Sequence, residues 1–134
     1  MIKQNMTIFF VKNQEVATCF YQNLFEVEPI LNVPGMTEFR QDTGFSLGLM
    51  PLTGIKKLIG EQYFQPSPGK TPPVELYLTV DDPEVYLERA IKNGAELILP
   101  VARRDWGDRA GYCMDIDDHV LAFAEPNIND GLRS

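Results

Sequence analysis

Met6-Thr-Ile-Phe-Phe-Val11-Lys-Asn13-Gln-Glu15-Val16 and Glu75-Leu-Tyr-Leu-Thr-Val80-Asp-Asp82-Pro-Glu84-Val85 align without a gap at an offset of 69. Each stretch reads as a strand, a capping side chain and the start of a helix, so the chain carries one supersecondary unit twice. The first strand, Met6 to Val11, is apolar on both alternating faces, as expected of a strand covered on both sides. Asn13 is a helix cap, and Val16, Ala17, Phe20 and Leu24 follow at helical spacing before Pro29 forbids continuation. In the second copy Asp82 caps, Pro83 takes the tolerated first helical position and Gly94 stands where a left-handed C-cap is wanted, predicting a helix over 83–93. Its expected apolar face is Val85, Tyr86, Ala90 and Ile91.

Working outward, each helix is followed by three strand-like segments. In the first half these are 30–33, 36–41 and 45–50, punctuated by Pro34-Gly35 and Asp42-Thr43-Gly44. In the second they are 96–101, 110–115 and 120–124, separated by a loop at 103–108 and the turn Asp115-Ile-Asp-Asp-His119. The order is β-α-β-β-β, twice. A first module over about 5–51, a second over about 74–126 and a polar tail at 127–134 are the expected organisation of one domain. Between the modules, 52–73 carries four prolines and three glycines and reads as an irregular linker with at most a helical turn at 55–59.

Composition narrows the function classes. A formal charge of −7 repels phosphate backbones, and Arg103, Arg104 and Arg109 are diluted by Asp105 and Asp108, so nucleic acid is not an expected partner. No apolar run approaches the ~20 residues that cross a bilayer. Lys3 and the β-rich stretch after it lack the small-residue cleavage site of a signal peptide, so the expected compartment is the cytoplasm and no membrane association is expected. Cys19 and Cys113 are far apart and without CxxC spacing, which predicts buried or half-buried inert thiols.

The strand ending Val11-Lys12-Asn13, the helix Phe20-Tyr21-Gln-Asn-Leu24-Phe25, the loop Asp105-Trp106-Gly107-Asp108-Arg109 and the turn at 115–119 occur in the order found in the glyoxalase/bleomycin resistance/dioxygenase (vicinal oxygen chelate) superfamily, which the chain resembles over about 5–126. Ile116, Asp118 and His119 stand where that family's turn has Pro, Gly and Asn. The resemblance implies an α+β fold in which two βαβββ repeats form cupped, mostly antiparallel sheets around a cleft, commonly in a homodimer, and a cleft that holds a divalent metal or a small ligand.

In metal-using members the ligands come from the opening and last strands of each half. The matching positions here are Met6, Glu75, Ala122 and either Leu47 or Gly48. Of these only Glu75 suits a hard or borderline divalent ion, and a thioether would select a soft one. His119, the only histidine, falls in the turn and reads as a solvent-exposed residue. No metal or other cofactor is therefore expected, and metal-dependent glyoxalase I activity is disfavoured.

Strand alternation puts Met6, Ile8 and Phe10 on one face, with Glu75, Tyr77, Thr79, Val120, Ala122 and Ala124 on the matching face of the second half. Thr7, Phe9, Leu76, Leu78, Leu121 and Phe123 would face the helices. The expected cleft is apolar and aromatic with one acid, suited to a small organic molecule held by Met6, Ile8, Phe10, Tyr77, Thr79, Trp106 and Ala122, or else filled by its own side chains. Glu75 is the candidate acid/base or the partner of a cationic ligand, or a structural pair for Arg103, Arg104 or Lys70. Trp106 is a stacking candidate or a hydrophobic anchor. Three functions compete: a metal-free binder that sequesters its ligand, an enzyme (lyase, isomerase or dioxygenase) with displaced metal ligands or with Glu75 as acid/base, and a non-catalytic interaction subunit.

Overall fold

The computed structural model describes residues 1–64 and 72–126, and the chain divides into two compact units, Met1–Lys70 and Thr71–Ser134. Lys70 and the 127–134 tail, for which the sequence suggests an ion pair and fraying, lie outside the described residues, as does 65–71 of the linker.

The first unit runs β1 (Thr7–Val11), α1 (Gln14–Phe25), β2 (Leu31–Val33), β3 (Met36–Arg40), β4 (Ser46–Pro51), then α2 (Leu52–Ile59) and a 3-10 turn at Glu61–Phe64. Its sheet has the order β1-β4-β3-β2, with β1 parallel to β4 and the other pairs antiparallel. The second unit runs β5 (Glu75–Thr79), α3 (Pro83–Lys92), β6 (Glu96–Arg103), β7 (Arg109–Met114) and β8 (Val120–Glu125), in the order β5-β8-β7-β6 with the same pattern of parallel and antiparallel pairs. The fold is α+β, two mixed four-stranded sheets with three α-helices among the described residues.

The helix starts follow from the caps. Asn13 Oδ1 accepts from the Val16 amide at 2.9 Å and Asp82 Oδ1 from the Val85 amide at 3.3 Å, each satisfying a donor that the first turn leaves over. Gly94, at φ +112°, ends α3 as the sequence predicts, and Ala95 N–H returns to Ala90 C=O at 3.0 Å. At the end of α1 the left-handed position is taken by Glu26, at φ 56°, where no glycine advertises it.

The helix faces and the linker differ from expectation. Val16 is 54% exposed, and the buried face of α1 is Ala17, Thr18, Phe20, Tyr21, Leu24 and Phe25. In α3, Val85 and Ile91 are exposed, while Pro83, Leu87 and Ala90 are buried. Gly111 on β7 favours this face: a Cβ there would stand 2.8 Å from Leu87 Cδ2 and 3.1 Å from the Val101 backbone N, so glycine lets α3 approach without displacing Leu87. The linker begins with a full helix, α2, which buries Ile55 and packs on β4 and β1.

The cores form on the helix-facing sides. Phe9, Leu47, Leu49 and Phe39 meet α1 in the first unit, with Phe9 and Tyr21 ring centroids 6.2 Å apart. Leu121, Phe123 and Cys113 are fully buried in the second, with Tyr86 against Phe123 at 5.8 Å. Leu76 and Leu78 are half-buried, and Thr7, expected to face a helix, is exposed. Burial pushes the Cys113 thiol up to about 12, with the Asp115 charge adding to it. Cys19, expected to be at least half-buried, is exposed on the outer side of α1.

Candidate functional site

The side of each sheet away from its helices is its open face, and alternation decides what lies there. In the second unit the pairings Tyr77↔Ala122 and Tyr112↔Ala122 set two tyrosines on either side of one alanine. Glu75 pairs Val120 and Thr79 pairs Ala124, so Glu75, Tyr77 and Thr79 line one edge of this face, and all three are exposed. Ala122 is wholly buried, a spacer between the tyrosines rather than an accessible contact.

The loop after β6 completes the cluster. The Tyr77 hydroxyl donates to Asp108 Oδ2 at 2.6 Å and accepts from the Trp106 indole N–H at 2.9 Å. Asp108 is 4% exposed, whereas Trp106 is 48% exposed, so this tryptophan is not a hydrophobic anchor. It is an exposed indole held by its N–H. Burial and the Asp108 hydrogen bond raise the Tyr77 pKa, keeping the phenol protonated. Tyr112 is likewise raised, first by burial and then by the Glu75 charge, which places that carboxylate in electrostatic reach of the second ring.

Of the two described cations expected near Glu75, Arg103 is exposed and Arg104 is otherwise employed. Arg104 donates to Pro100 C=O at 2.7 Å and Ala110 C=O at 3.0 Å, and its guanidinium stands 5.6 Å from the Tyr112 ring centroid. Arg109 bridges Glu84 on α3 and Glu125 on β8. Among the described residues Glu75 has no ion pair with either. His119, expected in solvent, is half-buried: its Nδ1 lies 2.9 Å from Asp115 Oδ2. Asp115 Oδ1 also accepts from the Asp117 and His119 amides, and Asp118 supplies the left-handed residue (φ 66°) of this turn. The histidine is a structural part of the turn.

In the first unit the open face carries Met6, Ile8 and Phe10, at 38% exposure for Met6 and 37% for Phe10, with Phe10 against Phe64 at 5.6 Å. A recess of about 440 Å³ is lined by Met6, Glu38, Arg40, Gly44, Ser46 and the preceding Lys3–Asn5. Its floor is one the opening-strand arithmetic overlooks: Glu38, buried, accepts from Arg40 at 2.6 Å and from Ser46 Oγ at 3.0 Å. Its place was readable, because Thr37 and Phe39 are the helix-facing residues of β3 and Glu38 must point the other way.

The registers also decide the ligand positions left open by sequence. Ile8↔Gly48 matches Tyr77↔Ala122, so Gly48, not Leu47, lies on the open face, and Leu47 is buried under the helices. The four family positions are thus a thioether, a glycine, a carboxylate and an alanine. Among the described residues no three His, Cys, Asp or Glu side chains gather as a metal cluster.

Doubled βαβββ units whose first and last strands pair in parallel are the architecture of the glyoxalase/bleomycin resistance/dioxygenase superfamily. Solved structures similar to this chain include a glyoxalase-related enzyme of Fulvimarina pelagi (18% identity, 96% of this chain and 91% of that one, TM-score 0.78). A glyoxalase/bleomycin resistance protein/dioxygenase family enzyme of Burkholderia phytofirmans matches at 18% identity over 90% and 95%, TM-score 0.77. Uncharacterized proteins of Mycobacterium bovis and Mycobacterium tuberculosis are 27% identical over 115 residues, 80% of this chain, which spans 72% and 65% of their lengths. The family model for the glyoxalase-like domain matches residues 4–127, and the chain belongs to that family.

Proposed function

We propose that this chain binds and sequesters a small organic molecule, without a hard divalent metal, on the open face of its second sheet. The observation that carries the reading is the Trp106–Tyr77–Asp108 hydrogen-bond chain, which fixes an exposed indole beside Tyr77, with Glu75 on the same strand face. Fixed aromatic rings lose little entropy when a planar ligand stacks, and carboxylates beside them favour a positive charge on it. The donor set at the family's metal positions supports metal independence, since one carboxylate with a thioether, glycine and alanine fits no hard divalent ion.

The rest of the reading is a cytoplasmic homodimer. Free thiols at Cys19 and Cys113 suit a reducing compartment, and among the described residues no helix is long and apolar enough to cross a membrane. Exposed Leu97, Ile98 and Leu99 on β6 supply apolar surface that a second copy would cover.

The test is calorimetric titration of EDTA-treated protein with planar organic cations, together with metal analysis of the untreated protein. Saturable binding that survives EDTA and weakens about tenfold in Tyr77→Phe is expected. Stoichiometric divalent metal, or binding that EDTA abolishes, contradicts it. The rival enzymatic reading has one supporting observation, the exposed Glu75 carboxylate acting on Tyr112. If a reaction is found and Glu75→Gln abolishes turnover while retaining binding, Glu75 is an acid/base and sequestration is wrong.

A further inference from the structure

The first unit's open face holds a different kind of donor. Met6, Met36 and Met50 are three of the chain's five methionines, and strand pairing brings them to one side of one sheet. Alternation puts Met36 and Glu38 on the same face of β3, and Gly48 and Met50 on the same face of β4; Glu38 pairs with Gly48. Extending that antiparallel register by one pair beyond Thr37↔Leu49 places Met36 opposite Met50. Met6 precedes β1 on the face of Ile8, whose partner is Gly48.

Gly48 is the point on which two of them, Met6 and Met36, converge, while Met50 stands two residues along β4 on the same face. A Cβ built there would lie 3.2 Å from Met6 Sδ and 3.3 Å from Met36 Sδ, with Ile8 Cγ1 at 3.1 Å. In both methionines it is sulfur, rather than the terminal methyl, that comes nearest. The two distances laid end to end limit the sulfur separation to 6.5 Å. Because Gly48 has no positive φ, its lack of a side chain serves space rather than backbone conformation. Packing alone does not require this arrangement, since Met6 remains 38% exposed and a leucine would cover the same strands.

Neutral, polarisable thioethers are poor ligands for hard divalent ions and good ones for a soft monovalent d10 cation. We propose that Met6, Met36 and Met50 form a copper(I)-class site above Gly48 on the first unit's sheet, argued independently of the ligand-binding reading. Glu38 stands on the same face as Met36, with its charge held by Arg40 and Ser46, which keeps an anionic group near the bound cation without making it a ligand. No redox step is involved: the ion binds in the state in which it arrives.

Silver(I), which shares this coordination chemistry and does not change oxidation state, is the probe. The full chain carries Cys19→Ser to remove the exposed thiol; the Cys113 thiol is fully buried. With methyl-labelled methionine, one equivalent of silver is expected to shift the Met6, Met36 and Met50 resonances and leave Met1 and Met114 in place. Met36→Leu, which preserves volume, should weaken binding about tenfold or more with an unchanged circular dichroism spectrum. Gly48→Ala, which keeps every thioether but pushes them apart, should weaken it as well. The proposal is overturned by equal shifts at Met1 and Met114, by shifts at none of the five, or by a Met36→Leu protein that binds silver as tightly as its parent.

Discussion

The two sheets place different side chains at equivalent positions of one frame. The central row of the first open face is Ile8–Gly48–Glu38, and the corresponding row of the second is Tyr77–Ala122–Tyr112. On the opposite face, Thr7–Leu47–Phe39 corresponds to Leu76–Leu121–Cys113, with Thr7 exposed and Leu47 and Phe39 buried. The capped helix starts and the parallel first-to-last strand pairing are the same in both. What a unit needs in order to fold has been kept, and what it offers on its open face has diverged, to thioethers and a buried carboxylate in one and to aromatic rings with acids in the other.

The largest expected effects test the sameness. Leu47 and Leu121 are equivalent and fully buried, so Leu47→Ala and Leu121→Ala should each cost about 2–5 kcal/mol in urea unfolding, as large-to-small core changes do. A cost confined to one of them would break the equivalence. Next comes a difference. Cys113 occupies the place of Phe39, and its thiol, with an ordinary value of 9.0, is raised to about 12 in the folded state. The unfolded chain therefore releases that proton first, and stability is full below pH 9 and falls as pH rises from 9 towards 12. At pH 10.5 the loss is on the order of 1–2 kcal/mol, and Cys113→Ala should flatten that part of a urea-midpoint profile.

Tyr77→Phe takes the phenol donor from buried Asp108 and the acceptor from Trp106, at a cost of about 1–2 kcal/mol. Its emission spectrum should also change, since Trp106 is the only tryptophan. The smallest effects are the caps: Asn13→Ala and Asp82→Ala should each cost about 1 kcal/mol, read as similar drops in melting temperature. A much larger drop for one of them would show that its helix carries more than its own unit.

Much of the frame was legible because it is local. The 69-residue offset, the Asn13 and Asp82 caps, Gly94 and the Asp115–His119 turn depend on neighbours in sequence. The helix faces were only partly legible, because β-branched Val16 and Val85 look like core in a helical pattern while the packed face places Leu87 against Gly111 across the fold. α2 was hidden by Pro51, Gly54 and the proline-rich stretch beyond it. The open-face grouping of Met6, Ile8 and Phe10 and of Glu75, Tyr77 and Thr79 followed from period-2 alternation. The Trp106–Tyr77–Asp108 chain did not, since its partners are about 30 residues apart and meet only when the loop after β6 folds back over β5.

The central claim is that an organic ligand meets the aromatic face of the second sheet without a divalent metal, and Trp106 reports on that face directly. Its emission should be followed while an acridine-class cation is titrated into EDTA-treated protein, alongside Glu75→Gln. The account predicts a saturable change in emission that is weakened in the variant. An emission spectrum that stays constant until a divalent metal is restored, or a ligand bound at calorimetry that leaves Trp106 unchanged, would contradict it.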